Sequence, residues 1–135
     1  MIVDPLDVAT LILRLTAGAI FVAQGFVKLV RPPDAPHGLT NLEAMVARRG
    51  LPRPRETAVF VAAVELVFGF LVLVGLFTRL ATIPLDGVLI VAIVGFKFRS
   101  GFIGGWDWPF SVLTILIAIG LLGPGAYSLD AVLSR

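Results

Sequence analysis

The stretch VFVAAVELVFGFLVLVGLFTR (residues 59–79) decides the fold class of this chain. It is long enough to cross the hydrocarbon core of a bilayer as a helix, which takes about 20 apolar residues. One acidic residue, Glu65, stands near its middle, and a carboxylate facing lipid is energetically costly. We therefore expect Glu65 to face protein or water while the rest of the stretch faces lipid and other helices.

Further apolar runs accompany this one, and together they predict an all-α, antiparallel four-helix bundle in a membrane. The spans are expected at about residues 8–30, 57–77, 80–98 and 107–122. The strands of a membrane β-barrel are about 10 residues long and alternate in hydropathy, unlike these runs. Only 15% of the 135 residues are charged, against roughly 25% in soluble domains. The chain therefore lacks the polar cover that water requires.

The long polar link between the first two runs predicts a short helix on the membrane surface at about residues 41–49. Within TNLEAMVARRG, Thr40 and Glu43 have the spacing of a capping box, and Gly50 is suited to end the helix. Its apolar face is expected to be formed by Leu42, Met45 and Val46.

Composition excludes several kinds of site and partner. The chain has no cysteine and one histidine, His37, so we expect no disulfide, metal centre, Fe–S cluster or haem pair. His37 lies in a proline-rich link and is expected to be solvated. No basic cluster is typical of a nucleic-acid interface, so no nucleic-acid partner is expected. The acidic start MIVDPLDV is not typical of a signal peptide, and the first run should remain in the mature protein.

The distribution of Lys and Arg predicts the orientation in the membrane. The first and third links and their flanks carry Lys28, Arg31, Arg48, Arg49, Arg53, Arg55, Lys97 and Arg99. The opposite side carries Arg79 and Arg135, with Arg14 a turn or two inside. The positive-inside rule then predicts that the long first link is cytoplasmic and that both termini are external. Attraction to anionic lipid explains the arginines of the first link more simply than a protein partner does.

Polar side chains within the spans lie on helix faces that can turn inward. Arg14, Gly18, Gly25 and Lys28 share one face of the first helix, and the glycines would let another backbone approach closely. On the second helix, Glu65 shares its face with the small residues Ala58, Ala62 and Gly69. Each face is therefore expected to pack against protein.

Depth in the membrane suggests which of these side chains meet. At about 1.5 Å per helical residue, Arg14 and Asp86 lie at similar depths and could form an ion pair. Gln24 is the nearest polar residue in depth to Glu65. A neutral Glu65 that donates to a carbonyl or amide group would suit this position.

Two interpretations of these side chains remain open. They either bind a quinone head group, a small polar ligand or a proton, or they form a hydrogen-bond network that fixes helix packing. The candidate residues are Arg14, Gln24, Lys28, Glu65 and Asp86. A possible pocket rim, or a set of interfacial anchors, is formed by Trp106, Asp107 and Trp108. The sequence contains no catalytic constellation and no metal-ligand cluster, so catalytic residues and metal ligands are not predicted.

The C-terminal stretch GPGAYSLDAVL (residues 123–133) has a local structural interpretation. Gly123, Pro124 and Gly125 should stop the fourth helix. Ser128 could then cap a short final turn, with Asp130 near its positive end. The stretch is expected to act mainly as a helix stop.

Four motifs in order resemble those of the DoxX family. They are RLTAGAIFVAQGFVKL (14–29), RRGLP (48–52), VAAVELVFGFLVLVGLFTRLAT (61–82) and the ending GPGAYSLDAVL. The matching positions are Arg14, Gly25, Lys28, Glu65, Gly75, Thr78, Arg79, Gly123, Gly125, Ser128 and Asp130. One position departs from the pattern, since many members carry Glu at the start of the fourth helix, where this chain has WDWPFSV with Asp107.

The resemblance implies a multi-pass, four-helix protein of a bacterial cytoplasmic membrane. Some members of the family are membrane subunits of quinone-linked oxidoreductases, including thiosulfate:quinone oxidoreductase. Others are linked to oxidative-stress complexes with soluble redox partners, and distant relatives assist membrane-protein assembly. The leading hypothesis is therefore an accessory membrane subunit that works with other protein subunits and with a quinone. An assembly or structural subunit and a small-molecule carrier are the alternatives.

Overall fold

The computed structural model describes residues 3–32, 34–35 and 37–134, and in these ranges the chain is helical with no β-strand. Its α-helices are α1 (Pro5–Val30), α2 (Leu39–Arg48), α3 (Pro54–Val74), α4 (Thr78–Val91), α5 (Asp107–Leu122) and α6 (Leu129–Leu133). Within the same ranges, four helical stretches are long and apolar enough to span a membrane, namely Pro5–Val30, Pro54–Val74, Thr78–Ser100 and Phe102–Leu122. The predicted all-α membrane bundle is confirmed. Arg135, which the predicted orientation used, lies outside the described residues.

Local sequence signals set the ends of the first two spanning helices. α1 begins at Pro5, and Oδ1 of Asp4 accepts a hydrogen bond from the Leu6 N–H at 2.9 Å. α3 begins at Pro54, because proline suits the first position of a helix, and it ends where Gly75 adopts a left-handed φ of 76°. Both ends of α3 therefore lie about three residues earlier than the predicted 57–77.

The third span changes its helical form before it reaches the link to α5. α4 continues as a π-helix over Ala92–Lys97 and a 3₁₀ turn over Phe98–Ser100. Gly101, with a φ of 83°, and the non-helical residues Ile103 and Gly104 then turn the chain into α5. This glycine-rich turn brings the aromatic residues of the link to the end of the bundle.

The short helix of the first link is present as α2, but its predicted cap is wrong. The N-cap is Gly38 in an extended conformation, and no side chain caps the helix there. Thr40 therefore lies inside the first turn, and Oε2 of Glu43 instead accepts from Nη1 of Arg55 at 3.4 Å. The apolar face of α2 is turned toward the bundle, since Val46 is buried and α2 packs against α3.

The spanning helices form a ring in the order α1, α3, α4, α5, in which α5 closes back onto α1. The most extensive interface joins α1 and α3. A Cβ at Gly25 would lie 2.6 Å from the backbone nitrogen of Leu66, and one at Gly18 would lie 2.7 Å from Cα of Leu73. The predicted close approach at these glycines is confirmed, and α3 is the helix that approaches.

Large apolar side chains cover much of the outer surface of the ring. Exposed examples on the spanning helices are Phe60, Phe70, Ile83, Val94 and Leu121. Such a surface is stable in a bilayer and unstable in water. The chain is therefore an integral, multi-pass membrane protein with a lipid environment.

Candidate ligand-binding cleft

An ion pair joins α1 to α3 across their glycine-lined seam. Nζ of Lys28 lies 2.7 Å from Oε2 of Glu65, and the two side chains are 13% and 6% exposed. Gly25 packs against Ala62 and Leu66, so Lys28, one turn further along α1, is brought within reach of Glu65, which lies between those two residues on α3. The close packing of α1 and α3 therefore positions the pair.

The expected partner of Glu65 was wrong. Gln24 lies near it in depth, but Lys28 makes the hydrogen bond. The depth comparison used backbone positions, whereas a lysine side chain extends several ångströms from its helix. Glu65 thus has a cationic partner, in place of the carbonyl or amide group expected for a neutral carboxyl.

The ion pair lies in the wall of a cleft of about 680 Å³ between α1, α2, α3, the third span and the start of α5. This volume falls within the roughly 300–1,000 Å³ of small-molecule sites. Most of the lining is apolar, including Phe21, Val64, Leu89 and Val112. The polar and charged lining residues are Gln24, Lys28, His37, Asn41, Thr57, Glu65 and Lys97. Apolar walls with a few convergent polar groups are typical of a ligand site.

Sequence reasoning missed part of this cleft. His37 was expected only to be solvated, but it is exposed and also lines the cleft, with a left-handed φ of 61°. Asn41 and Lys97 line it as well. No periodicity could have identified them, because they come from a loop, from α2 and from a π-helical segment that meet only in the folded bundle.

Arg14 lies at the other end of α1 and does not belong to the cleft. Its side chain is 2% exposed, and its guanidinium donates to backbone carbonyl oxygens of two separate segments. At the end of α3, Nε donates to Val72 O at 3.1 Å and Nη2 to Leu73 O at 3.0 Å. In the C-terminal segment, Nη1 donates to Pro124 O at 3.1 Å and Tyr127 O at 2.8 Å. Arg14 therefore provides hydrogen-bond donors to carbonyl groups at the end of α3, where the helix ladder stops.

The predicted pair of Arg14 and Asp86 is wrong. α1 and α4 lie at opposite corners of the ring, so equal depth does not bring their side chains together. Asp86 does not line the cleft described here, and its Oδ1 is buried without a hydrogen-bond partner among the described residues. Asp86 thus joins neither the ion pair nor the cluster around Arg14.

Asp130 caps α4 from a distant part of the chain. Its carboxylate accepts from Phe77 N–H at 2.8 Å, Thr78 N–H at 3.0 Å and the Thr78 hydroxyl at 3.0 Å. Burial alone would raise the pKa of Asp130. The hydrogen bonds from Thr78 and Phe77, together with the positive charge of Arg14, outweigh it and hold this pKa below its ordinary value.

The C-terminal stretch therefore does more than stop α5. Ser128 caps α6 as predicted, accepting from Ala131 N–H at 3.1 Å. Oδ1 of Asp7 accepts from Ala126 N–H at 3.0 Å, which ties the stretch to the start of α1. The local sequence could not indicate this second function, because the partners lie more than 50 positions away.

The residues of the predicted pocket rim separate in the structure. Trp108 lines the cleft, whereas Trp106 packs against Phe102 and Phe110 with ring centroids 4.6 and 5.5 Å apart. Asp107 accepts from Gly104 N–H at 3.2 Å and from Trp108 N–H at 2.8 Å, and so holds the glycine-rich turn. Of the three, only Trp108 is placed to touch a ligand in this cleft.

The positions that carried the family resemblance form two groups in space. Gly25, Lys28 and Glu65 lie at the α1–α3 seam beside the cleft. The remainder cluster at the opposite end of the bundle around the C-terminal stretch, and they are Arg14, Gly75, Thr78, Arg79, Gly123, Gly125, Ser128 and Asp130. The first group belongs to the candidate site, and the second holds the helix ends together.

Comparisons with known proteins show the family of this chain. The sequence profile of the DoxX family matches residues 9–98. The chain is 35% identical to "Uncharacterized membrane protein Rv3486" of Mycobacterium tuberculosis over 136 aligned positions, covering 91% of this chain and 80% of that protein. It is 31% identical to "Putative oxidoreductase CatD" of Bacillus subtilis, covering 92% of this chain and 86% of that protein. No solved structure matches it significantly. The chain belongs to the DoxX family of membrane proteins.

Proposed function

We propose that this chain is a small membrane subunit of a quinone-linked redox complex and that it holds the quinone in the cleft. The observation that carries the proposal is the Lys28–Glu65 pair in the wall of an otherwise largely apolar cleft of about 680 Å³. The name of the Bacillus subtilis relative, "Putative oxidoreductase CatD", supports a redox process. The electron carrier that exchanges electrons with the quinone belongs to a partner subunit in this proposal.

The chemistry of the lining fits a quinone. Apolar walls accommodate its ring, and Lys28 can bind a carbonyl oxygen of the ring. The Nζ group of Lys28 has three donors, and Oε2 of Glu65 uses one of them. Among the described residues, Glu65 is hydrogen-bonded through Oε2, so its Oε1 is available for a further contact.

A bound quinone would supply two-electron, two-proton chemistry. In the proposed site Lys28 orients the carbonyl oxygen through a hydrogen bond from Nζ. Oε1 of Glu65 carries the proton that is transferred to or from that carbonyl oxygen. The surrounding apolar side chains limit access of water and so strengthen both interactions.

Quinone titration of the purified protein in nanodiscs tests this proposal. Trp108 lines the cleft, so a bound quinone should quench its fluorescence. The double variant Lys28→Met/Glu65→Leu removes the polar group without leaving one buried charge unpaired, and should weaken binding about tenfold or more. The matched control removes the exposed Arg55–Glu43 pair, which does not line the cleft, by Arg55→Met/Glu43→Leu. Equal affinity in the two folded double variants would contradict the proposed site.

A structural or assembly subunit is the second candidate. It is favoured by the cluster around Arg14 and Asp130, which uses many of the polar residues of the chain to join helix ends. Mild extraction of the native protein separates the two candidates. A stable complex in which the isolated chain binds no quinone would support the second candidate and contradict the first.

We also keep the predicted orientation as part of the proposal. In that orientation the link end of the bundle, which carries Lys28, Lys97 and α2, lies on the cytoplasmic side. The apolar face of α2 then covers the cytoplasmic end of the cleft, while Arg48 at its last position contacts the membrane surface.

A further inference from the structure

The cleft reaches the outer surface of the bundle between α3 and α4. Phe60 on α3 lines the cleft and is also 69% exposed. On α4, Val91 lines the cleft and is 56% exposed, and the neighbouring cleft residue Gly87 is exposed as well. A residue that contributes both to the cleft and to the lipid-facing surface marks an opening between them.

The two helices are connected at the end of the bundle opposite the first link. A short turn at Gly75 connects them, and Asp130 binds the backbone at Phe77 and Thr78 at the same end. Toward the link end, the space between α3 and the third span belongs to the cleft. The opening therefore lies away from this connection, toward the link end of the two helices.

Gly87 differs from the glycines that bring helices together. A Cβ at Gly25 or Gly69 would lie 2.6 Å from an atom of the neighbouring helix, whereas a Cβ at Gly87 would have no such neighbour within 4 Å. Packing therefore does not require glycine at position 87, although glycine is a poor helix former. What glycine provides there is open space at the edge of the cleft.

The opening lies at the depth of the ion pair. Glu65 precedes Gly75 by ten positions, and Gly87 follows Thr78 by nine. At about 1.5 Å per residue, both lie about 14 Å from the turn that joins the helices, within the hydrocarbon layer. A ligand head at Lys28 and Glu65 could thus extend an apolar chain directly into lipid.

We propose that the opening at Gly87 is a lateral portal and that the ligand is an amphiphile dissolved in the bilayer. Its polar head lies at the Lys28–Glu65 pair, and its long apolar tail passes between Phe60 and Val91 into lipid. The inference rests on the proposed quinone site and adds the class of ligand, a tailed rather than a tail-free molecule. It also assigns Gly87 as the residue that determines this preference.

Two quinones with the same head group test the portal. Decylubiquinone carries a ten-carbon tail, and 2,3-dimethoxy-5-methyl-1,4-benzoquinone carries none. Gly87→Phe should weaken binding of decylubiquinone about tenfold, because the added side chain fills the space through which the tail passes. Binding of the tail-free quinone should change less than about twofold, since the head site is intact. The control is Val94→Phe, at a lipid-facing position that is 71% exposed and does not line the cleft.

The outcomes separate this inference from the proposed function. Equal weakening of both quinones by Gly87→Phe, or no weakening of either, would contradict the portal. Failure of the wild-type protein to bind the tail-free quinone would instead contradict the head site. If Gly87→Phe does not fold, Val91→Trp narrows the same opening from the next turn of α4 and should discriminate between the two quinones in the same way.

Discussion

Lys28 and Glu65 are hydrogen-bonded partners on adjacent helices, with 2.7 Å between Nζ and Oε2. They form a charged pair at the seam between α1 and α3, the most extensive helix interface, and they also lie in the wall of the cleft. The same contact can therefore hold the helices together and bind a ligand, so stability and binding must be measured separately.

Removal of one member of this pair should destabilise the protein more than removal of both. Lys28→Met or Glu65→Leu alone leaves one buried charge without a partner, and each should lower the free energy of unfolding by about 3–5 kcal/mol. The double variant should lose less than the sum, with a coupling free energy of at least about 1 kcal/mol. A double-mutant cycle in detergent, followed by thermal unfolding, measures this coupling. Strictly additive losses would mean that the contact does not contribute to stability.

Arg14→Lys should destabilise the bundle although it keeps the charge. The guanidinium donates to Val72, Leu73, Pro124 and Tyr127, and an ammonium group cannot reach all four carbonyl oxygens. We expect a loss of about 2–4 kcal/mol in the free energy of unfolding. The control Arg99→Lys changes an exposed arginine and should have little effect. Equal melting temperatures for the two variants would contradict this function of Arg14.

Asp130 should make stability depend on pH in the acid range. The pKa of Asp130 is lower in the folded protein than its ordinary value of about 3.9. The ionised carboxylate therefore stabilises the folded state, and this stabilisation is fully present above that pH. The stabilisation is lost as the pH falls through the folded pKa. The difference in melting temperature between wild type and Asp130→Asn should therefore be largest near neutral pH and shrink below about pH 4. The control Asp34→Asn, at an exposed position of the first link, should show no such convergence.

Alanine should have opposite effects at two glycines. At Gly25 the added Cβ would lie 2.6 Å from the backbone of α3, so Gly25→Ala should lower the free energy of unfolding by about 1–3 kcal/mol. At Gly87 the Cβ would meet no neighbour, and Gly87→Ala should leave stability unchanged or raise it by up to about 1 kcal/mol. Thermal unfolding of both variants checks this, and destabilisation by Gly87→Ala would show that the space at Gly87 is not open.

Single cysteines can test the predicted orientation, because the native chain has none. Thr40 and Ser134 are exposed at opposite ends of the bundle. With the first link in the cytoplasm, Ser134→Cys should react with a membrane-impermeant maleimide in intact spheroplasts. Thr40→Cys should react only after the membrane is opened. The reverse pattern would show that the positive-inside rule fails for this chain.

The sequence by itself determined the class of fold and the inward faces of its helices. Four apolar runs required a bilayer, and helical spacing placed Gly18, Gly25 and Glu65 on faces that pack against protein. These properties follow from the length and the periodicity of each helix. Both are set by the local sequence and do not depend on neighbouring helices. The cap at Ser128 was predictable for the same reason, since its partner is three positions away.

Only the tertiary structure decided which polar groups meet. Arg14 binds carbonyl oxygens at the end of α3, Asp130 caps α4, and Glu65 pairs with Lys28 rather than Gln24. Depth along a helix is a local quantity, whereas a contact across the bundle also depends on helix order, rotation and side-chain reach. The cleft is also determined by the tertiary structure, because its lining comes from five helical segments and a loop that are brought together by folding.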